Sequence, residues 1–198
     1  MKEVLNESLG NSNVLSHRSL NQRTIREVVY GIGIGVHSGE KVRITLRPAP
    51  IDSGIQFIRT DIRDAVAIPA RAENVADTTL ATSIAHGSFS VATVEHLMSA
   101  LWGLGIDNLL VELSAEEVPI MDGSAAPFID MIESAGVIEQ LQERKFIRIT
   151  RKIEVNQEGA VASLAPYNGF KAGYTFVANH AIYDQYPKYV EVDFANTS

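Results

Sequence analysis

The chain has 198 residues, 45% of them hydrophobic and 21% charged, which is typical of a globular protein with one full domain and part or all of a second. The net charge of −7 argues against a nucleic-acid-binding protein, which would hold phosphates with a basic surface. No cysteine is present, so disulfides are excluded and any metal site must use His, Asp, Glu or water.

The N-terminal residues 1–21 are polar and of mixed charge, without the apolar core of a signal sequence. We expect them to form a flexible tail. No stretch approaches the roughly 18 apolar residues of a membrane-spanning helix. The sequence therefore predicts a cytoplasmic protein with no transmembrane segment.

Three glycines alternate with isoleucine in Gly31-Ile32-Gly33-Ile34-Gly35. The spacing differs from that of a dinucleotide-binding loop, and a strand follows where that loop requires a helix. The glycines instead predict a tight, closely packed turn that presents His37. An ordinary loop histidine is the alternative reading of His37.

Several segments have the hydropathy patterns of strands and helices. Residues 41–47 alternate strictly between polar and apolar side chains, which predicts a half-buried strand. Residues 54–59 and 108–113 are predicted to form further strands. A second helix is predicted after residue 122, with Ser124 as its N-cap, Pro127 in its first turn and Gly136 at its end.

The dipeptide Glu95-His96 is predicted to lie on a short helix that ends near Gly105. One face of this helix is apolar and is formed by Val94, Leu97, Met98 and Leu101. His96 points nearly opposite, among small uncharged residues, which indicates that a second layer of structure covers it. A neutral imidazole binds zinc well, and a neighbouring carboxylate can take a proton from metal-bound water. The pair therefore fits half of a hydrolytic site, and a buried histidine bonded to backbone is the alternative.

The C-terminal part of the chain is predicted to contain only strands. These strands are expected at residues 146–155, 160–164, 170–177 and 189–194. Strands, two helices and strands again form an α+β pattern, with a tail at 1–21, a first domain at 22–143 and a second at 144–198. A domain of about 55 residues made only of strands leaves one sheet face uncovered, so the second domain is expected to be truncated.

Four motifs together resemble one enzyme family. They are GIGVHSG at 33–39, TVEHL at 93–97, GIDN at 105–108 and VPIMDGSAAPF at 118–128. Their order and spacing resemble those of the bacterial UDP-3-O-acyl-N-acetylglucosamine deacetylases, and the resemblance covers roughly the N-terminal three-fifths of that family. It implies two sheet/helix domains that form a β-α-α-β sandwich.

The resemblance also implies a zinc-dependent deacetylase of lipid A biosynthesis that releases acetate from UDP-3-O-acyl-N-acetylglucosamine. Glu95 corresponds to the general base and His96 to a zinc ligand, while His37, Leu80 and Thr82 are expected to contact substrate. The family's other two zinc ligands, a His and an Asp four residues apart, and its later catalytic His are absent here. We therefore expect these 198 residues alone to bind zinc weakly and to have little activity.

One segment near the expected site departs from the family pattern. Thr79 stands where members often carry Met, and Ala81 where they often carry Cys. The alternative function is a truncated, non-catalytic homologue that binds the acylated sugar nucleotide or a protein partner. An unrelated β-rich interaction domain would not explain the four motifs. The sequence does not define the oligomeric state.

Overall fold

The computed structural model describes residues 20–177, 186 and 188–194, in two compact units. The first unit is Ser19–Arg144, and the second contains Lys145–Ser198. The predicted division into a tail at 1–21 and two domains stays a prediction, because the tail lies almost wholly outside the described residues. His17 and His180, isolated histidines for which the sequence predicts structural or solvent roles, also lie outside them.

The first unit contains both α-helices, a short 3₁₀ helix (Ala72–Asn74) and nine strands of the described chain. The strands are β1 (Asn21–Ile25), β2 (Val29–Ile34), β3 (Lys41–Pro48), β4 (Ile55–Arg59), β5 (Ile68–Pro69), β6 (Ile84–His86), β7 (Phe89–Val91), β8 (Leu109–Leu113) and β9 (Val137–Glu143), and the helices are α1 (Glu95–Leu104) and α2 (Ala126–Ala135). Five strands form the main sheet in the order β2-β3-β8-β4-β5. The α+β class predicted from the sequence is confirmed.

Alternating side chains of β3 and β8 build the core of this unit. Val42, Ile44 and Leu46 of β3 are fully buried, as the strict alternation predicts. They form one cluster with residues of β8 and of both helices, namely Leu109, Val111, Leu113, Leu97, Leu101, Phe128 and Ile132. The helices thus supply the apolar layer that a sheet with one polar face requires.

Strands β1 and β9 pair with each other, and side-chain amides join them to the main sheet. Asn108 is 1% exposed and donates to Gln22 Oε1 and to Gln140 Oε1, each at 2.7 Å. The side-chain oxygen Oδ1 of Asn108 accepts from the backbone N–H of Gly54 at 2.9 Å. We call Gln22, Asn108 and Gln140 the amide cluster. Its hydrogen bonds compensate for the burial of polar groups between β1, β8 and β9.

Two local predictions in the first unit are correct only in part, since Gly35 alone of the three glycines lies in the His37 turn. Gly31 and Gly33 lie within strand β2 and not in a turn. This face of the strand lies so close to α2 and to residues 119–121 that a side chain would not fit. A Cβ at Gly33 would lie 2.8 Å from Pro119 Cβ. The N-cap of α2 is Ala125, one residue later than predicted. The hydroxyl of Ser124 accepts a hydrogen bond from the N–H of Ala126, the first residue of the helix.

The second unit contains four strands in two antiparallel pairs within its described residues. They are β10 (Ile153–Gln157), β11 (Ala160–Leu164), β12 (Lys171–Thr175) and β13 (Tyr189–Asp193). The strand predicted at 146–155 begins only at Ile153, and β9 was not predicted. None of the described residues of this unit is buried.

Candidate functional site

Helix α1 begins directly at the predicted pair, with Glu95 as its first residue and His96 as its second. The Glu95 carboxylate does not point freely into solvent. Both of its oxygens accept from the backbone N–H of Thr82, each at 3.2 Å. The carbonyl of Thr82 in turn accepts from the N–H of Val94 at 3.2 Å. Two hydrogen bonds therefore hold the loop at Thr82 against the start of α1.

Thr82 and Leu80, both predicted to contact substrate, lie in the loop between Asp77 and Ser83. Leu80 is 87% exposed, and its φ of 64° lies in the left-handed region that a leucine rarely adopts. The loop is closed by a hydrogen bond from the N–H of Ser83 to the carbonyl of Asp77, at 2.8 Å. The structure thus places Thr82 beside Glu95 and leaves the Leu80 side chain exposed. Their contacts with substrate stay a prediction.

His96 is half-buried, and the Asp122 carboxylate lies within electrostatic reach of its imidazole. Hydrogen bonds from the N–H and the hydroxyl of Ser124, at 2.9 and 2.8 Å, lower the pKa of the Asp122 carboxyl, and the positive form of His96 lowers it further. From the sequence alone, Asp122 is best interpreted as a turn and helix-cap residue. The turn is present, and it also brings a carboxylate near the imidazole.

The turn that carries His37 is built around a buried carboxylate. Glu117 is 3% exposed and accepts from the N–H of His37 at 3.1 Å and from the N–H of Ser38 at 2.9 Å. The hydroxyl groups of Ser38 and Thr93 also donate to it, at 2.8 and 2.9 Å. His37 itself is exposed. The structure therefore joins the His37 turn to Thr93, two residues before Glu95.

The titration of Glu117 reflects these four donors. Burial alone would raise the pKa of its carboxyl, but the hydrogen bonds from Ser38, His37 and Thr93 lower it, and the balance leaves the pKa below the ordinary value. The carboxylate is therefore ionised near neutral pH. It is a buried anion whose partners are N–H and O–H groups.

Sequence reasoning missed Glu117, although a signal was present. The inward positions of β8 are the odd-numbered residues Leu109, Val111 and Leu113. The same alternation continues past the strand and places Ala115 and Glu117 on the buried side. A carboxylate at an inward position requires hydrogen-bond partners, so the sequence pattern indicates that Glu117 has specific contacts in the fold.

Within the described residues there is no group of three or more His, Asp or Glu side chains that could hold a metal ion. His96 fits a single zinc ligand by its chemistry and its half-buried position. A structural zinc site needs four ligands and a catalytic site three protein ligands, so the described residues do not form a complete site. No helix among them is long and apolar enough to cross a membrane.

The fold and the site define an α+β protein with a carboxylate–imidazole pair at the start of a helix. A family model described as LpxC, UDP-3-O-acyl N-acetylglycosamine deacetylase, matches residues 22–198. The chain therefore belongs to this family, and the resemblance predicted from the four motifs is confirmed.

Curated relatives carry the same description. Three are named UDP-3-O-acyl-N-acetylglucosamine deacetylase and come from Chromohalobacter salexigens, Teredinibacter turnerae and Hahella chejuensis, at 52%, 51% and 50% identity. Each match extends over 179 residues, which is 90% of this chain and 59% of the relative. The chain thus spans about three-fifths of the length of these relatives.

Proposed function

We propose that this chain contributes the general base and one metal ligand to a zinc-dependent deacetylase. The reaction is hydrolysis of the N-acetyl group of UDP-3-O-acyl-N-acetylglucosamine, which releases acetate in lipid A biosynthesis. Family membership supports the reaction, and the Glu95-His96 pair at the start of α1 carries the assignment of roles. The cytoplasm stays the predicted compartment.

In this proposal Glu95 is the residue that takes the proton of the attacking water. Its carboxylate accepts hydrogen bonds from the N–H of Thr82 and is half-buried. These bonds fix the direction of the carboxylate without neutralising it, so a lone pair remains available for a proton. A positioned base of this kind contributes about 10²–10⁴-fold to the rate.

His96 is the proposed zinc ligand of this chain. A zinc ion, when bound, lowers the pKa of water and polarises a carbonyl group. The imidazole supplies one nitrogen for such an ion, and the negative charge of Asp122 nearby favours a cation at this position. The described residues do not supply the remaining ligands, so the assignment for this chain ends at His96.

The experiment that tests both roles compares Glu95→Gln with His96→Ala. Both are made in a protein that carries this sequence and has the full length of the relatives. Glu95→Gln keeps size and shape, so turnover should fall by about 10²–10⁴-fold while zinc stays bound. His96→Ala removes a ligand, so zinc stoichiometry should fall together with turnover.

Two matched substitutions control for effects unrelated to the site. Glu133→Gln, at an exposed glutamate of α2, is the control for Glu95→Gln. His86→Ala, at an exposed histidine at the end of β6, is the control for His96→Ala. Both should leave turnover and zinc content unchanged. Near-normal turnover of Glu95→Gln would exclude the base, and full zinc occupancy of His96→Ala would exclude the ligand. If the unmodified protein binds the acylated sugar nucleotide but does not hydrolyse it, the non-catalytic alternative is correct.

A further inference from the structure

We propose that Glu117 is a positioning residue, which holds the His37 turn and the start of helix α1 in one fixed arrangement. The inference rests on the proposed function, in which Glu95 and His96 act from that helix start. Glu117 itself touches neither of them in the structure. It acts through Thr93 on one side and through the backbone of His37 and Ser38 on the other.

The first step is the cost of burying Glu117. An ionised carboxylate at 3% exposure loses most of its hydration, and that loss amounts to several kcal/mol unless donors replace the water. Four donors do so here, and they come from two separate segments: the turn at His37-Ser38 and the residue Thr93. Because the anion needs both sets, it holds the two segments together.

The second step is the backbone of Thr93. Its φ is 59°, in the left-handed region that a β-branched residue rarely adopts. Such a conformation persists only where the surroundings determine it on both sides. The N–H of Ala92 donates to the carbonyl of Glu116, and the N–H of Val118 donates to the carbonyl of Ala92. The Thr93 hydroxyl bond to Glu117 then fixes the side chain, so the chain enters α1 in a single direction.

The third step is the shape of the His37 turn. A side chain at Gly35 would collide with the Ser38 hydroxyl and the Glu117 carboxylate, so the turn is closed tightly around the carboxylate. The turn is further closed by hydrogen bonds between Gly35 and Glu40 and between Gly39 and Gly35, each at 2.9 Å. The turn can therefore not keep its position if the anion moves.

The consequence is that two parts of the proposed site share one anchor. His37 lies beyond strand β2, at one edge of the main sheet, whereas Glu95 lies at the start of α1. A shift of about 1 Å between a substrate-binding group and a base is enough to reduce a rate by about 10²-fold. Loss of the anchor should therefore be seen mainly as a lower kcat and less as a lower melting temperature.

The sharpest test removes a single hydroxyl. Thr93→Val keeps the volume and the β-branch, and therefore the backbone strain, but it cannot donate to Glu117. In the full-length, zinc-loaded protein we expect kcat to fall by about 10- to 100-fold, with zinc content and KM changed by less than about threefold. Thr93→Ser restores the hydroxyl and should restore kcat. A purely structural role predicts a lower melting temperature for Thr93→Val with kcat unchanged.

Glu117→Gln tests the anchor itself, with Glu116→Gln as its control. Glu116 is the neighbouring, exposed glutamate, so it undergoes the same chemical change one residue away. Glu117→Gln should lower kcat and also raise KM, because both the helix start and the His37 turn are released. Glu116→Gln should change neither. Equal effects of the two substitutions, or normal kcat for both Thr93→Val and Glu117→Gln, would overturn the proposal.

A second measurement separates this proposal from the proposed function. In the 198-residue chain, amide exchange and the ring signals of His96 are followed by NMR, with no substrate present. Thr93→Val should speed exchange at the N–H of Thr82, which bonds to Glu95, and should shift the His96 signals; Thr93→Ser should not. If full-length protein lacks deacetylase activity but these changes occur, the proposed function fails and the positioning role stands. Unchanged exchange and shifts overturn the positioning role even if the enzyme is active.

Discussion

The two units of this chain use strands of similar length in different ways. In the first unit, strands β3 and β8 bury every second side chain against two helices. In the second unit, each of β10, β11 and β12 is exposed at all five positions. Paired backbones are present in both units, so hydrogen-bonded pairing alone does not produce a core. The difference lies in whether a second layer covers one face of the strands.

The largest expected difference between the units is in amide exchange. Amides of β3 and β8 exchange only through global unfolding, whereas those of the β10–β11 hairpin open locally. With a global stability of about 5–15 kcal/mol, protection factors should be higher in β3 and β8 by at least about 10³-fold. Exchange followed by NMR or mass spectrometry checks this. Equal protection in the two units would mean that a cooperative core includes the second unit.

Truncation of one core side chain should have the next largest effect. Leu46→Ala in β3 removes a fully buried side chain and should lower the free energy of unfolding by about 2–5 kcal/mol. The matched change in the second unit is Leu164→Ala in β11, where the leucine is 57% exposed. It should change the free energy of unfolding by less than about 0.5 kcal/mol. Urea denaturation of both variants measures the contrast, and similar losses would contradict it.

A polar substitution should sharpen the same contrast. Asn108→Ala removes the centre of the amide cluster and takes one hydrogen-bond partner away from Gln22, Gln140 and the N–H of Gly54, while Gln22 Oε1 still accepts from the N–H of Asp52. This should cost about 1–3 kcal/mol. Asn156→Ala, at an exposed position of β10, is the control and should have no measurable effect. Retained stability of Asn108→Ala would show that water enters the cluster.

The smallest effect concerns acid stability. The pKa of Glu117 is lower in the folded chain than its ordinary value of 4.5, so its stabilising contribution is complete above that value and is lost as the pH falls through the folded pKa. The stability difference between the unmodified chain and Glu117→Gln should therefore shrink below about pH 4.5. Glu158→Gln, at an exposed position between β10 and β11 of the second unit, is the comparison and should leave the acid limb unchanged. The measurement is the melting temperature of each protein from pH 3 to 7. A difference between the unmodified chain and Glu117→Gln that does not change with pH would contradict the linkage.

Elements with a clear hydropathy period were predictable from the sequence. The strict alternation in β3 and the apolar face of α1 follow from the geometry of strands and helices, so the order of residues determines both. Strand β9 was not predicted because Val137–Glu143 carries mostly polar side chains and is held by pairing with β1. Such long-range pairing leaves no local pattern.

The candidate site was predictable only in part, for a related reason. Residue types alone indicated the Glu95-His96 pair, because a carboxylate beside an imidazole has a recognisable chemistry. Glu117 lies 22 positions after Glu95 in the sequence. It binds the His37 turn, which lies 80 positions before it. Its role depends on contacts between distant segments, which the fold creates and the sequence does not display.

The glycines of β2 define how far this protein can be varied in the laboratory. At Gly31 an added methyl group would lie 3.1 Å from the sulfur of Met131, a flexible side chain that can rotate away. At Gly33 the neighbour is the ring of Pro119, which is rigid, and at Gly35 it is the Glu117 carboxylate, which is held by four donors. In a random library, accepted substitutions should therefore become rarer from position 31 to position 35, so that mutational tolerance declines along β2 and into the His37 turn that follows it.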